Sequence, residues 1–351
     1  MTNTEPASST AAQAAPKGAA AAPLEFRGVS KRYPGQETPA INDLSFTVPA
    51  GEVCVLVGPS GCGKTTAMRL VNRMIDLSDG DILLDDRSVM DRNPTELRRE
   101  IGYVIQQIGL FPHLTINGNM AVVPRLLGWD KKRATARSAE LLELIGLPAE
   151  MGRRYPSQLS GGQRQRVGVA RALAADPPLM LMDEPFGAID PINRDRLQNQ
   201  FLRLQSELRK TIVFVTHDID EAIKMGDKIA ILREGGELVQ YDSPDAILAN
   251  PANDFVAQFV GADRGLKRLA LTRLSEVELA DRESSGGEQM SDESLRTEAS
   301  LRDGLSRMMT ESSSREVVFD GDGQPAGYVT MDIIQAVLRE GRHDSVANQP
   351  A

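Results

Sequence analysis

The octet Gly58-Pro-Ser-Gly-Cys-Gly-Lys-Thr65 restricts the possible folds more than any other stretch of this 351-residue chain. It follows the apolar run Glu52-Val-Cys-Val-Leu-Val-Gly58, the pattern of a parallel strand buried on both faces, and runs into a helical stretch, Thr66–Ile75. Strand, glycine-rich loop and helix in this order form a P-loop. Gly61 and Gly63 let the backbone curl so that N–H groups converge on phosphate oxygens. Lys64 reaches the β and γ oxygens, and the Thr65 hydroxyl is a Mg²⁺ ligand. The predicted nucleotide contacts are Gly58, Pro59, Ser60, Gly61, Cys62, Gly63, Lys64, Thr65 and Thr66. Such a loop needs a parallel sheet behind it, so the chain is read as α/β.

Further strands complete the site. Leu179-Met-Leu-Met-Asp-Glu-Pro185 is an apolar strand ending in two carboxylates. Asp183 is placed to hold Mg²⁺ through water, and Glu184 to align an attacking water. Val213-Phe-Val-Thr-His217 carries His217 to a similar strand end, within reach of a γ-phosphate or that water. Gln106 and Gln107 close the strand Ile101–Ile105, where Gln106 can reach Mg²⁺ and the water. Tyr33, the last residue of the strand Leu24–Tyr33, is a candidate platform for the adenine ring.

A second phosphate site lies about a hundred residues on. Leu159-Ser-Gly-Gly-Gln-Arg-Gln165 runs straight into an apolar helical pattern. Glycine costs about 1 kcal/mol inside a helix, so the pair Gly161-Gly162 after Ser160 reads as a helix entrance with exposed N–H groups, an anion site. Two phosphate sites and one nucleotide imply that two chains share it.

The rest of the chain bounds this reading. The hydrophobic content (41%) and charged content (25%) are those of a soluble globular protein, and no run of eighteen apolar residues suggests a membrane span. A net charge of -9 argues against nucleic acid as a partner. The cysteines Cys54 and Cys62 have no metal-site spacing and suit a reducing compartment. Residues 1–23 and 343–351 read as disordered tails. Helical periodicity between about 107 and 177 marks an insertion in the α/β core, and Ile229–Leu232 with Glu237–Gln240 around Gly235-Gly236 reads as a hairpin. Nine acids against three bases between Glu276 and Asp303 suggest an acidic linker over 263–299. Beyond it, 300–342 holds a helix, two strands around Gly321-Asp-Gly323 and a second helix, too little to bury a core alone.

These motifs together resemble the nucleotide-binding subunit of ATP-binding-cassette (ABC) transporters over about 24–262. That likeness implies a P-loop fold with a mixed core sheet, an antiparallel β-subdomain and a helical subdomain. It implies an ATPase using ATP and Mg²⁺, with Lys64, Gln106, Glu184 and His217 in the catalytic set and Thr65, Gln106 and Asp183 at the metal. Tyr33 matches the adenine contact. Ser160, Gly161, Gly162 and Gln163 match the signature that caps ATP held by a second copy. Gly187-Ala-Ile-Asp190 matches the D-loop, departing from the common Ser-Ala-Leu-Asp at Gly187 and Ile189 but keeping Asp190. The segment Ile108–Ile116 matches the groove for an integral membrane permease, with Leu110, Phe111 and Leu114 expected to be exposed. An extracytoplasmic substrate-binding protein would be an indirect partner, and the location would be the cytoplasmic face of the inner membrane.

The wording Gln-Gln-Ile-Gly-Leu-Phe-Pro-His at 106–113 resembles the ATPases of glycine betaine, carnitine and choline importers, and 300–342 resembles one CBS motif. Importers of an amino acid or polyamine would carry the same motifs. A soluble ABC ATPase would bring coiled-coil insertions, zinc cysteines or a second cassette, which are absent here.

Overall fold

The computed structural model describes residues 20–105, 109–187, 189–281 and 294–340. The chain opens with β1 (Leu24–Lys31), β2 (Ile41–Val48), β3 (Val53–Val57), α1 (Lys64–Val71), β4 (Asp79–Leu84), β5 (Arg87–Ser88), α2 (Pro94–Glu100) and β6 (Ile101–Val104). Four helices follow: α3 (Ile116–Met120), α4 (Val122–Leu126), α5 (Lys131–Leu144) and α6 (Gly161–Leu173). The core resumes with β7 (Leu179–Asp183), α7 (Pro191–Leu208), β8 (Thr211–Val215), α8 (Ile219–Met225), β9 (Lys228–Arg233), β10 (Glu237–Asp242), α9 (Pro244–Ala249) and α10 (Asp254–Val260). The last part comprises α11 (Arg264–Leu271), β11 (Leu295–Arg296), α12 (Leu301–Thr310), β12 (Arg315–Phe319), β13 (Pro325–Thr330) and α13 (Met331–Glu340).

The main sheet has the order β10-β9-β3-β8-β7-β6, parallel except for the hairpin strand β10. All five residues of β3 and of β8 are buried. Successive side chains of a strand point to opposite faces, and the apolar runs divide accordingly. Val53, Val55, Val57, Met180, Met182 and Phe214 enter the core shared with α5–α7, whereas Cys54, Leu56, Leu181, Val213 and Leu232 enter the core beneath the antiparallel sheet β2-β1-β4-β5. The strands are continuously apolar because each half-pattern feeds a different core.

Two sequence expectations change at the edges. Ala22, assigned to the tail, is buried, and its N–H donates to the Pro178 carbonyl at 3.3 Å. Residues 1–19 and 341–351 lie outside the described residues. The stretch read as a linker contributes α11 and a helical turn at Leu274–Glu276, whose Leu269 and Leu274 are buried with Leu301, Met308, Val318 and Val329. The net acidity of 263–299 hid these leucines. Ser284–Gly287 lie outside the described residues. The last unit is a three-stranded sheet, β11-β12-β13, with α11–α13 against it.

Arg268 ties this unit to the main body. It pairs with Asp245 of α9 at 2.7 Å and donates to the Val337 carbonyl of α13 at 2.8 Å. Lys267 pairs with Asp220 of α8 at 3.0 Å and with Asp263 at 3.2 Å.

Candidate functional site

Parallel strands that end together bring their following residues to one edge. Leu56 of β3 pairs with Val215 of β8, and Val215 pairs with Asp183 of β7. The P-loop, the acids after β7 and His217 after β8 therefore converge. Ser60, Gly61, Gly63, Lys64, Thr65 and Glu184 line a cavity of about 240 Å³.

The loop is held in shape from both sides. Gly63 has φ +95°, and a Cβ there would stand 2.3 Å from the Ala40 carbonyl oxygen. Gly61 is also left-handed, at φ +83°, but faces open space. Lys64 is buried and folded back onto the loop, donating to the Gly58 carbonyl at 2.7 Å and the Pro59 carbonyl at 2.9 Å. Both bonds are charge-assisted and fix the ammonium against the loop.

Thr65 Oγ1 donates to Asp183 Oδ1 at 3.3 Å. Burial pushes the Asp183 carboxyl above the usual aspartate range, and the Thr65 hydrogen bond offsets part of that rise. Glu184 turns out of β7 at φ +44°, with its N–H on the Val215 carbonyl at 2.9 Å. Its Oε1 lies 3.0 Å from His217 Nδ1. The backbone turn thus aims one carboxylate at Thr65 and the next at His217. Gln106 lies outside the described residues. Tyr33 sits past β1 in the segment that reaches Ala40, with the Lys31 ammonium 5.3 Å from its ring centroid.

The helix entrance at Ser160 is built differently from its sequence reading. The Ser160 hydroxyl oxygen accepts from the Gln163 N–H at 3.3 Å, while the Gln163 side-chain carbonyl accepts from the Ser160 N–H at 2.9 Å. This reciprocal capping box uses part of the entrance expected to be bare, leaving the N–H groups of Gly161 and Gly162 and the hydroxyl proton as donors. These residues line a separate cavity of about 820 Å³, shared with Pro185, Ile189 and Asp190. Asp190 caps α7, accepting from the Asn193 N–H at 3.1 Å. The loop from Glu184 to Asp190 thus has one end at the P-loop cavity and the other at the signature cavity; its Ala188 lies outside the described residues.

Of the three apolar residues expected to be exposed in the docking segment, Phe111 is exposed, Leu114 is half-buried, and Leu110 packs partly buried against the main core. Ile108 lies outside the described residues. Sequence reasoning missed two residues that shape this segment. Asn119, fully buried in α3, accepts from the Phe111 N–H at 2.7 Å and donates to the Phe111, Leu114 and Thr115 carbonyls. Arg171 of α6 donates to the Gly109 carbonyl at 2.6 Å. Asparagine within a helical pattern was the available signal, since it is disfavoured there unless its amide has work with the backbone. Nothing local marks Arg171.

Comparison with known proteins identifies the family. The profile of a family described as "ABC transporter" matches residues 41–187. The osmoprotectant import ATP-binding protein OsmV of Salmonella typhimurium is 50% identical over 310 residues, covering 87% of this chain and 78% of that one. The chain is an ABC transporter ATP-binding subunit. The choline transport ATP-binding protein OpuBA of Bacillus subtilis is another relative of this ABC ATPase, 47% identical over 311 residues, with coverage of 89% and 79%. The carnitine transport ATP-binding protein OpuCA of Listeria monocytogenes is 55% identical over 241 residues, which span 69% of this chain and 60% of that relative. Among solved structures, a dimeric ATP-binding cassette in a post-hydrolysis state with ADP and Pi is 32% identical, with a TM-score of 0.56, covering 63% of this ABC subunit and 98% of that cassette.

Proposed function

We propose that this chain is the ATP-hydrolysing subunit of an importer for a quaternary ammonium osmoprotectant of the glycine betaine, carnitine or choline type, working as a pair of copies on the cytoplasmic face of the membrane. The convergence of Lys64, Thr65, Asp183, Glu184 and His217 at one sheet edge carries the catalytic part of this reading. The names of the relatives support the substrate class.

In the proposed reaction Lys64 leaves the Gly58 and Pro59 carbonyls for the β and γ oxygens of ATP, and the loop N–H groups hold the same phosphates. Glu184, positioned by His217, aligns the attacking water. Thr65 and Asp183 are an all-oxygen donor pair facing each other, which suits a hard divalent cation. Mg²⁺ held there would supply charge neutralisation on the phosphates. Ser160, Gly161 and Gly162 open into a different cavity from Lys64, which supports their serving the nucleotide of the second copy.

Coupling to transport is assigned to α6. It carries the signature at its N-terminus and grips the docking segment through Arg171 near its other end. Closure of two copies around ATP would thus move the surface presenting Phe111 to a permease, and ATP acts as a ligand favouring the closed pair. The last unit, with its CBS-like pattern, is proposed to pair with its counterpart in the second copy. The test is reconstitution with the cognate permease and binding protein in liposomes. ATP hydrolysis and uptake should rise together on adding betaine, carnitine or choline, whereas a response only to an amino acid or polyamine would reassign the substrate.

A further inference from the structure

Glu221 is a buried acid to which the reaction gives no part. It lies in the first turn of α8 and is 7% exposed; Gln198 of α7 and Thr216 after β8, which contact it, are 5% and 1% exposed. Gln198 Nε2 donates to Glu221 Oε1 at 2.9 Å, and the Thr216 hydroxyl donates to the same carboxylate. Both partners are neutral, and Arg194 of α7 pairs instead with Asp218, at 3.8 Å. A buried carboxylate is costly unless hydrogen bonds replace its water. Burial holds the Glu221 carboxyl above the usual glutamate range, and the two hydrogen bonds offset part of that rise. An apolar side chain would fill the same place without this cost.

The local duty of an acid at this position is different. Three residues after an N-cap, a glutamate ordinarily reaches back to the N–H of the cap. Asp218 caps α8, accepting from the Asp220 N–H at 2.9 Å and the Glu221 N–H at 3.2 Å. Its own N–H donates to Thr216 Oγ1 at 3.1 Å. The Thr216 hydroxyl thus stands between cap and acid, accepting from Asp218 and donating to Glu221, and the carboxylate also reaches across to α7. His217 is the residue between Thr216 and Asp218. Its side chain is 61% exposed, with Nδ1 3.0 Å from Glu184 Oε1. A ring so little packed takes its place from the two residues that flank it.

We propose that Glu221 is a positioning residue for His217: through Thr216 it fixes the loop after β8, and through Gln198 it ties that loop to α7. The inference rests on the proposed reaction, in which His217 positions Glu184 for water alignment. Glu221 touches neither nucleotide nor water and acts only by holding Thr216 and Asp218 in place. Without its carboxylate the Gln198 amide and the Thr216 hydroxyl each lose a buried partner, and the loop that carries His217 is anchored only by its backbone, chiefly the Thr216 N–H on the Leu56 carbonyl at 3.2 Å. Misplacing a group of the reaction by about 1 Å costs on the order of 10²-fold in rate.

The test is a double-mutant cycle on the full chain, with kcat and KM for ATP measured by phosphate release. Glu221→Ala should lower kcat about 10²-fold with KM within about twofold of wild type. Glu221→Gln keeps the shape but turns a donor toward one of the two donors, so kcat should fall about fivefold, the loss of one hydrogen bond. If Glu221 acts through His217, adding Glu221→Gln to His217→Ala should slow the enzyme no further. A merely structural role would instead give losses that multiply. Should Glu221→Ala fail to fold, the Gln variant and the double variant carry the test, with thermal unfolding confirming that both are folded. Multiplying losses, an effect on KM alone, or wild-type kcat in the Glu221 variants beside a slow His217→Ala overturns the proposal and leaves the reaction standing. Wild-type kcat in His217→Ala would overturn the role given to His217, and the proposal with it.

Discussion

Gly61 and Gly63 are two residues apart in the phosphate loop, share a left-handed backbone and differ in what surrounds them. An alanine at either position incurs the left-handed penalty of about 1–2 kcal/mol. At Gly61 nothing lies within 4 Å of the new Cβ, so the cost ends there. At Gly63 the Ala40 carbonyl oxygen would be 2.3 Å away and must retreat to at least 3.0 Å, and the Ile41 Cδ1 at 2.7 Å obstructs as well. Forcing an extra carbon against packed structure costs a further ~1–3 kcal/mol. With about 2–4 °C of thermal midpoint per kcal/mol in a domain of this size, Gly63→Ala should unfold roughly 2–12 °C below Gly61→Ala. The assay is thermal unfolding of both variants without nucleotide, followed by titration with a fluorescent ATP analogue. Affinity should fall further in Gly63→Ala, because relieving the contact moves the loop that presents the phosphate donors. Midpoints within 1 °C of each other would refute the claim that Ala40 buttresses the loop.

Three other outcomes follow from the same geometry. Glu184→Gln keeps the shape and a hydrogen bond to His217, so ATP binding should persist while turnover falls about 10²–10⁴-fold in a phosphate-release assay; normal turnover would remove Glu184 from water alignment. Asp183→Asn should raise the thermal midpoint of the nucleotide-free protein at neutral pH while abolishing Mg²⁺-dependent hydrolysis. The sign follows from burial: a carboxyl raised above its unfolded value stabilises the fold only when protonated, so that contribution is lost as pH rises through the raised pKa. The gain should shrink as pH falls toward about 4, the usual aspartate range, and a gain constant with pH would contradict this cause. A chain ending at Asp263 should retain ATP affinity in calorimetry but melt earlier, because Asp220 and Asp245 lose Lys267 and Arg268; loss of ATP binding would place the last unit inside the catalytic body.

The sheet edge that gathers Lys64, Asp183, Glu184 and His217 was legible from residues because its logic is local. A buried strand shows as a continuous apolar run, and the polar residues that end β7 and β8 mark their own positions. Helix α7 was not legible: its 18 residues bury only a narrow stripe including Leu197 and Phe201, and polar residues dominate the rest. Helix α11 was hidden for the opposite reason, since the acidity of its surroundings masked a strongly amphipathic stretch. The exposure of Leu110 was misjudged because core contact depends on where α6 lies, which a local pattern does not encode. Likewise, the capping box at Ser160 was present as Ser-x-x-Gln, but the glycines drew the interpretation toward a bare backbone.

The central claim is that Lys64 of one copy and Ser160 of the other serve the same ATP. It is tested most directly by ATPase measurement on purified mixed dimers, one copy carrying Lys64→Ala and the other Ser160→Arg. Such a dimer keeps one composite site with both groups intact, and hydrolysis well above background is predicted. A dimer with both changes in the same copy damages one residue in each site and should be inactive. The reverse ranking, activity when both changes share a copy and none when they are split, would contradict the account, since each copy would then complete its own site.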